Sequence, residues 1–255
     1  MSTMNKISVY IIAYNEATKI KAALESVIDW ADEVIVADSY STDNTATIAA
    51  ALGAKVIQLP FTGFGELRNR VIEHCQYEWI FSLDSDERCT PQARDEIISI
   101  VKNHTATMPD IYLVPRKNYF LGKWVKHSGW YPNYRQPQLF RKGKMHYTTE
   151  AVHEGYVALG VIGKLHNPIW QFPFENLAQM LHKINRYSTL NAQRLLGKKR
   201  GGLWRGLLSG MVLFIKHYIF QRGFLDGRAG FAIALGSGIG GFYKYAKLAE
   251  LENHW

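Results

Sequence analysis

Glu78-Trp79-Ile80-Phe81-Ser82-Leu83-Asp84-Ser85-Asp86 is an apolar, aromatic run of strand type that delivers two carboxylates two positions apart. Residues two apart share one face of a strand, but the step from strand to loop releases Asp86 from the pleat. The pair then offers hard oxygen ligands of the kind that hold Mg²⁺ or Mn²⁺ against phosphate groups. Two upstream stretches follow the same plan. Ile7 to Ala13 is a buried-strand pattern ending in Tyr14-Asn15-Glu16, and Glu33 to Ala37 ends in Asp38-Ser39-Tyr40-Ser41-Thr42-Asp43. Three strands that each finish in polar residues predict one ligand crevice at the carboxyl edge of a parallel sheet.

Helical patterns fill the intervals. Ile20, Leu24, Val27 and Ile28 keep a helical period within a helix predicted from Thr18 to Ile28. A second helix is predicted to begin at Thr42 or Asp43, either of which can cap it, and to run to Leu52 before Gly53. Lys55 to Gln58 reads as a short strand, Gly65 to Cys75 as a helix, and Thr90-Pro91 as the start of another. The alternation implies right-handed crossovers and an α/β fold with a mostly parallel sheet flanked by helices. After Asp110 the rhythm changes. Ile111 to Arg116 and Gln138 to Phe140 read as strands, with an aromatic, basic loop from Asn118 to Pro137 between them. Phe174 to Leu196 is helical, and Leu203 to Phe220 and Ala229 to Phe242 are apolar but interrupted by charge or glycine. Neither reaches the ~20 apolar residues of a spanning helix. The expected division is residues 1–172 as the α/β domain and 173–255 as a helical region that touches a membrane or mediates oligomerisation.

The 255 residues allow one α/β domain plus an appendage. With 47% apolar and 20% charged residues, wholesale disorder is excluded. Cys75 and Cys89 lack metal-knuckle spacing and form no disulfide framework, which fits a reducing compartment. Lys6 precedes only a short apolar run broken at Asn15 and Glu16, so no signal peptide is read. The net charge of +8 is uneven: residues 176–225 hold nine Lys and Arg and no Asp or Glu. An anionic membrane surface or nucleic acid suits such a stretch, and the aliphatic and aromatic residues between the charges favour the membrane.

Asp86 is the expected direct ligand of the divalent ion, with Asp84 reaching the same ion, its water or a ribose. Short acidic pairs before a helix also serve as caps, and Asp84, Asp86 and Glu87 precede Thr90-Pro91. Asp38 can accept a hydrogen bond from a uracil imide, Tyr14 can cover the base, and Glu16 can bind ribose or orient its loop. For Asp43 a plain capping role is expected. Arg68 can reach phosphate or base with its guanidinium fork, while Arg70 faces elsewhere. His153-Glu154 is the best pair in the second half: Glu154 can remove a proton from an attacking hydroxyl while His153 orients substrate, with Glu150 as the competing base. Lys126, His127, Trp130, Tyr131 and Arg135 lie in the aromatic, basic loop, where they either bind a phosphorylated sugar acceptor or pack the loop onto the domain. His127, His146 and His166 have no metal-site spacing.

These motifs, Ala13-Tyr14-Asn15-Glu16, Asp38 to Thr45, Arg68-Asn69 and Asp84-Ser85-Asp86, resemble those of family 2 glycosyltransferases with the GT-A fold. The resemblance implies an inverting, metal-dependent enzyme using a nucleotide diphosphate-sugar, with nucleotide contact at Tyr14, Glu16 and Asp38 and metal contact at Asp86. His127-Ser128-Gly129-Trp130-Tyr131-Pro132, Gln138-Leu139-Phe140-Arg141, Val152-His153-Glu154 and Gly223-Phe224-Leu225-Asp226-Gly227 resemble a narrower group, the bacterial lipopolysaccharide core β-1,4-glucosyltransferases. That group implies UDP-glucose as donor, a heptose of the lipid-anchored inner core as acceptor, and peripheral or monotopic placement at the cytoplasmic face of the inner membrane. Many wider family members carry Glu-Asp near the acceptor where this chain has His153-Glu154. A nucleotidyltransferase acting on a sugar phosphate, or a non-catalytic glycan-binding protein, would use the same scaffold.

Overall fold

The computed structural model describes residues 6–149 and 155–253. In chain order the elements are β1 (Ile7–Ala13), α1 (Ile20–Glu25), β2 (Glu33–Asp38), α2 (Thr45–Ala51), β3 (Lys55–Gln58), α3 (Phe64–His74), β4 (Trp79–Asp84), β5 (Glu87–Arg88), α4 (Pro91–Asn103) and β6 (Ile111–Leu113). There follow β7 (Arg116–Phe120), β8 (Lys123–Trp124), β9 (Pro137–Arg141), β10 (Met145–Tyr147), β11 (Tyr156–Ala158), β12 (Ile162–Lys164) and β13 (Ile169–Phe174), then α5 (Leu177–Leu195), α6 (Leu203–Ile215) and α7 (Arg228–Leu251). The described residues fall into two compact units. The first lies within Met1–Arg116 and Tyr134–Gln171, the second within Lys117–Asn133 and Phe172–Trp255. Residues 117–133, which a linear division at 172 assigns to the first part, therefore belong to the second unit.

The first unit is the expected GT-A, Rossmann-like α/β sheet. Its seven strands run in the order β12-β6-β9-β4-β1-β2-β3. β4, β1, β2 and β3 are mutually parallel, whereas β9 is antiparallel to both β4 and β6. Side chains alternate between two apolar layers. Ile7, Val9 and Ile11 of β1 join Val34, Val36, Trp79 and Phe81 on one face, with α1 and α4 over them. Tyr10, Ile12, Ile35 and Ile80 join Leu67, Val71 and Ile72 of α3 on the other. Burial on both faces explains why these strands read as nearly continuous apolar runs. α1 is shorter than expected, with turns rather than helix at Thr18 and from Ser26 to Trp30. α2 starts at Thr45 rather than Thr42 or Asp43, although Asp43 still accepts the Thr45 amide at 2.9 Å.

The second unit contains a hairpin where the sequence reads as loop. β7 pairs with β8 around Leu121-Gly122, whose φ angles are 50° and 75°. Two positive φ values in a two-residue connection are the turn geometry that matches strand twist. The strand was hidden because Arg116 and Asn118 occupy its buried positions alongside Phe120. Asn118 donates to the Trp130 carbonyl at 2.6 Å, which satisfies one of these polar groups. Phe120, Val125, Met180, Ala229 and Ile233 form this unit's core. α7 runs on through its five glycines because neighbours press against them: a Cβ on Gly236 would stand 2.0 Å from the Met180 Cε. Among the described residues, no helix is long and apolar enough to cross a membrane.

Candidate active site

The ends of β1, β2 and β4 lie side by side. Ala13 is in register with Asp38, and Ile12 with Asp84. Asp38 and Asp84 thus flank β1 on two sides, about 10 Å apart at ordinary strand spacing. The loops after β1 and β2 are tied together. The Asn15 amide donates to the Ser41 hydroxyl at 2.9 Å, and the Asn15 side chain accepts the Thr42 amide at 2.8 Å. The Glu16 amide donates to Thr45 Oγ1 at 2.8 Å and the Ala17 amide to Asp43 at 3.1 Å. Asp38 is fully buried, and its carboxylate accepts the Ser41 amide at 3.0 Å and the Ser41 hydroxyl. It therefore braces the turn carrying Tyr40. Tyr14 and Tyr40 both stand more than half exposed at this edge; Tyr40 has no role readable from the sequence.

Asp84 is held from below. Arg68, itself buried, donates to Asp84 Oδ1 at 2.6 Å and to Ser82 Oγ at 2.9 Å. Its guanidinium lies 5.5 Å from the Tyr147 ring centroid. Burial works against the Asp84 carboxylate and is the largest single influence, but Arg68, Arg116 and Arg135 together hold its carboxyl below the ordinary value. Arg70 turns away to the Pro60 carbonyl at 3.3 Å. Ser85 and Asp86 make the turn between β4 and β5. Gln171 Nε2 approaches the Asp86 carboxylate at 3.3 and 3.4 Å.

Beneath this turn lies a residue that reads in the sequence as a surface cap. Glu87 is completely buried. Its carboxylate accepts Arg116 Nε at 2.6 Å, Gln138 Nε2 at 2.7 Å and the Asp84 amide at 3.0 Å. Burial pushes its carboxyl up and Arg116 is the largest opposing influence; three donors on its two oxygens are the environment of an ionised group. Arg88 closes the turn from the other side through the Ser85 and Glu87 carbonyls at 2.8 and 2.6 Å. Gln138, a polar residue inside an otherwise apolar strand, was the one sequence signal that something nearby needed a buried partner.

Glu150, His153 and Glu154 lie outside the described residues. The chain on either side of them is firmly anchored. The Asn69 side chain clamps Tyr147 by its amide at 2.9 Å and its carbonyl at 2.8 Å. The Thr148 amide donates to the Gly155 carbonyl at 3.0 Å, and the Gly155 amide returns to Thr148 Oγ1 at 2.8 Å. Adjacent residues of α3 thus divide the work: Arg68 holds Asp84, and Asn69 holds the strand that leads to the His153-Glu154 segment.

The five residues expected at the acceptor fall in different units. Arg135 belongs to the first unit, where it is exposed and its charge acts on Asp84. Lys126, His127, Trp130 and Tyr131 belong to the second. Asp226 organises their loop: it accepts the Lys126 and His127 amides at 3.1 and 3.0 Å, and its carboxylate lies 3.1 Å from His127 Nδ1 and 3.2 Å from Ser128 Oγ. Lys126 lies over Trp124 at 4.6 Å, and Tyr131 meets the same ring edge-on at 5.5 Å. Trp130 packs on Phe120 and Phe174 in the core of its unit. His166 binds Glu96, and His146 is exposed on β10.

The first unit's carboxylates suit a hard divalent ion. Asp84 and Asp86 offer oxygen donors in one tight turn, and among the described residues no group of three acidic, His or Cys side chains could hold a metal alone. A phosphate-bearing ligand would complete such a shell, as Mg²⁺ commonly requires.

The model of glycosyl transferase family 2 matches residues 8–157. An uncharacterized glycosyltransferase of Rickettsia felis is 31% identical over 97% of this chain and 90% of its own. The lipopolysaccharide core biosynthesis glycosyltransferase LpsC of Rhizobium meliloti is 27% identical over 96% of this chain and 92% of its own. Glucosyl-3-phosphoglycerate synthase of Mycobacterium tuberculosis, solved with Mn²⁺, UDP and glucosyl-3-phosphoglycerate, is 28% identical over 45% of this chain and 44% of its own, with a TM-score of 0.38.

Proposed function

The chain belongs to glycosyltransferase family 2, and from that premise we propose that it moves a hexose, glucose from UDP-glucose, onto a heptose of the lipopolysaccharide inner core with inversion at the anomeric carbon. The observation that carries this reading is the Asp84-Ser85-Asp86 turn, braced by Arg68 and Glu87 beside the polar ends of β1 and β2. Tyr14, Glu16 and the Asp38-braced turn form the nucleoside subsite. Asp86 and Asp84 would hold Mg²⁺ or Mn²⁺. When bound, that ion supplies Lewis-acid neutralisation of the charge on the departing diphosphate. The acceptor class rests on the likeness to LpsC over nearly the whole chain. Lys126, His127 and Tyr131 of the second unit are the groups we propose for the phosphorylated, lipid-anchored acceptor.

Inversion needs one displacement. The acceptor oxygen forms its bond to the anomeric carbon as the carbon–oxygen bond to UDP breaks, and Glu154 takes the hydroxyl proton while His153 orients the reactants. Glu154→Gln keeps the shape and removes the basicity. We expect it to bind UDP as the parent does by calorimetry, and to release UDP from UDP-glucose, with a heptose-terminated acceptor, ~10²–10⁴-fold more slowly. Full activity in Glu154→Gln with loss in Glu150→Gln moves the base to Glu150. Release of free diphosphate from UTP and a sugar phosphate by the parent protein would make it a nucleotidyltransferase, and no release with any nucleotide-sugar or with UTP would leave a glycan-binding protein.

A further inference from the structure

α6 has two opposite apolar sides, and its partner helix covers only one. On the covered side Gly206 and Gly210 are buried, and a Cβ on either would stand 2.7 Å from a backbone carbonyl of α7, at Phe242 and Gly238 respectively. That close approach fixes how α6 is rotated. The opposite side carries Trp204, Leu207, Leu208, Met211 and Val212, each between 48 and 79% exposed. Their spacing places them on one stripe. The stripe extends through the next turn to Phe220, also 79% exposed. Contiguous apolar surface of this kind marks an interaction site. Its rim is predominantly basic: Lys198, Lys199, Arg200, Arg205, Lys216 and Arg222 are all exposed. The sequence from 176 to 225 holds no acidic residue, and the Glu252 carboxylate, which accepts the Gly201 amide at 2.7 Å, offsets only part of this charge.

We propose that this bare stripe of α6 is a membrane-docking surface, lying in the plane of a bilayer with anionic headgroups. The apolar side chains enter the boundary between headgroups and acyl chains, and the basic rim sits on lipid phosphates. α7 takes the place of the polar face that a free interfacial helix would need. Charge selects the occupant. A second copy seated through the same stripe would press two basic rims together, and like charges facing each other oppose association. Nucleic acid would satisfy the rim but leave the apolar stripe without a partner. Trp204 and Phe220 stand near the two ends of the stripe, and aromatic rings are favoured at the headgroup level.

Flotation of the intact chain with vesicles of phosphatidylethanolamine and phosphatidylglycerol tests this directly. Recovery is expected with these vesicles, less with phosphatidylcholine, and less again as salt screens the rim. The triple substitution Trp204→Ser, Leu208→Ser and Val212→Ser changes only exposed positions and is expected to weaken partitioning roughly 100-fold while circular dichroism is unchanged. Brominated lipids should quench the emission of the parent protein more than that of Trp204→Ser. Absence of flotation at low salt overturns the proposal, as does equal flotation by the triple variant or equal quenching in Trp204→Ser. A soluble dimer that the triple substitution dissociates assigns the stripe to a second copy and also overturns it. None of these measurements reads sugar transfer, so their failure is distinct from failure of the catalytic reading.

Discussion

Asp86→Ala is expected to lower turnover by roughly 10³-fold or more and to abolish the response to divalent ions. Asp86 sits at the apex of the turn after β4, where Gln171 Nε2 approaches its carboxylate at 3.3 and 3.4 Å. Asp84, two residues back, already gives one oxygen to Arg68. On the proposed reading Asp86 is the direct ligand of the ion, and Asp84, oriented by Arg68, assists it. Charge that grows on a leaving diphosphate is stabilised by several kcal/mol when an ion is fixed beside it. The measurement is UDP release as a function of Mg²⁺ and Mn²⁺ concentration. Near-normal release with an unchanged metal requirement would remove Asp86 from the site. Asp86→Ala should cost less stability than loss of a fully buried carboxylate, because the side chain is partly exposed and its contact with the buried Gln171 is long, at 3.3 and 3.4 Å.

Glu87→Ala is expected to have the opposite profile, with the largest effect on stability. It leaves the Arg116 guanidinium, 2% exposed, without the carboxylate 2.6 Å away. It also removes an acceptor of the Asp84 amide and of Gln138. Breaking a buried ion pair from one side costs about 3–5 kcal/mol, because the remaining charge stays in a poorly solvated place. Urea unfolding should show a loss of that size with little change in slope. Glu87→Gln keeps the shape and part of the hydrogen bonding, and should recover some of the loss. A Glu87→Ala protein as stable as the parent would mean that the pair does not support the turn.

The contrast between these two acidic residues shows what a sequence can and cannot disclose. The strands of the first unit were legible because their apolar runs are buried on both faces, and the carboxyl-edge crevice followed from where the polar residues begin. Asp84 and Asp86 stand where that pattern puts them. Glu87, one residue further on, looked like another cap because its partners come from distant segments: Arg116 from a different strand and Gln138 from the antiparallel β9. Arg116 and Asn118 hid β7 for the same reason, since buried polar groups break the apolar alternation by which strands are recognised. Asp226 belongs to a quoted motif, yet its hold on Lys126, His127 and Ser128 spans about a hundred positions and has no local signature. The discontinuity of the second unit is likewise a long-range property: the hairpin of β7 and β8 shares its core with α5 and α7. The Arg68-Asn69 pair was visible as a motif, but its split between Asp84 and Tyr147 depends on two adjacent side chains leaving α3 in different directions.

The central claim is a single displacement at an anomeric carbon, and nuclear magnetic resonance of the reaction tests it most directly. The parent protein would be given UDP-glucose, Mg²⁺ or Mn²⁺ and a heptose-terminated acceptor. The phosphorus spectrum should show UDP as the released species, and the proton spectrum of the product should show a β-linked glucose formed from the α-linked donor. An α-linked product, with the donor configuration retained, would contradict the account.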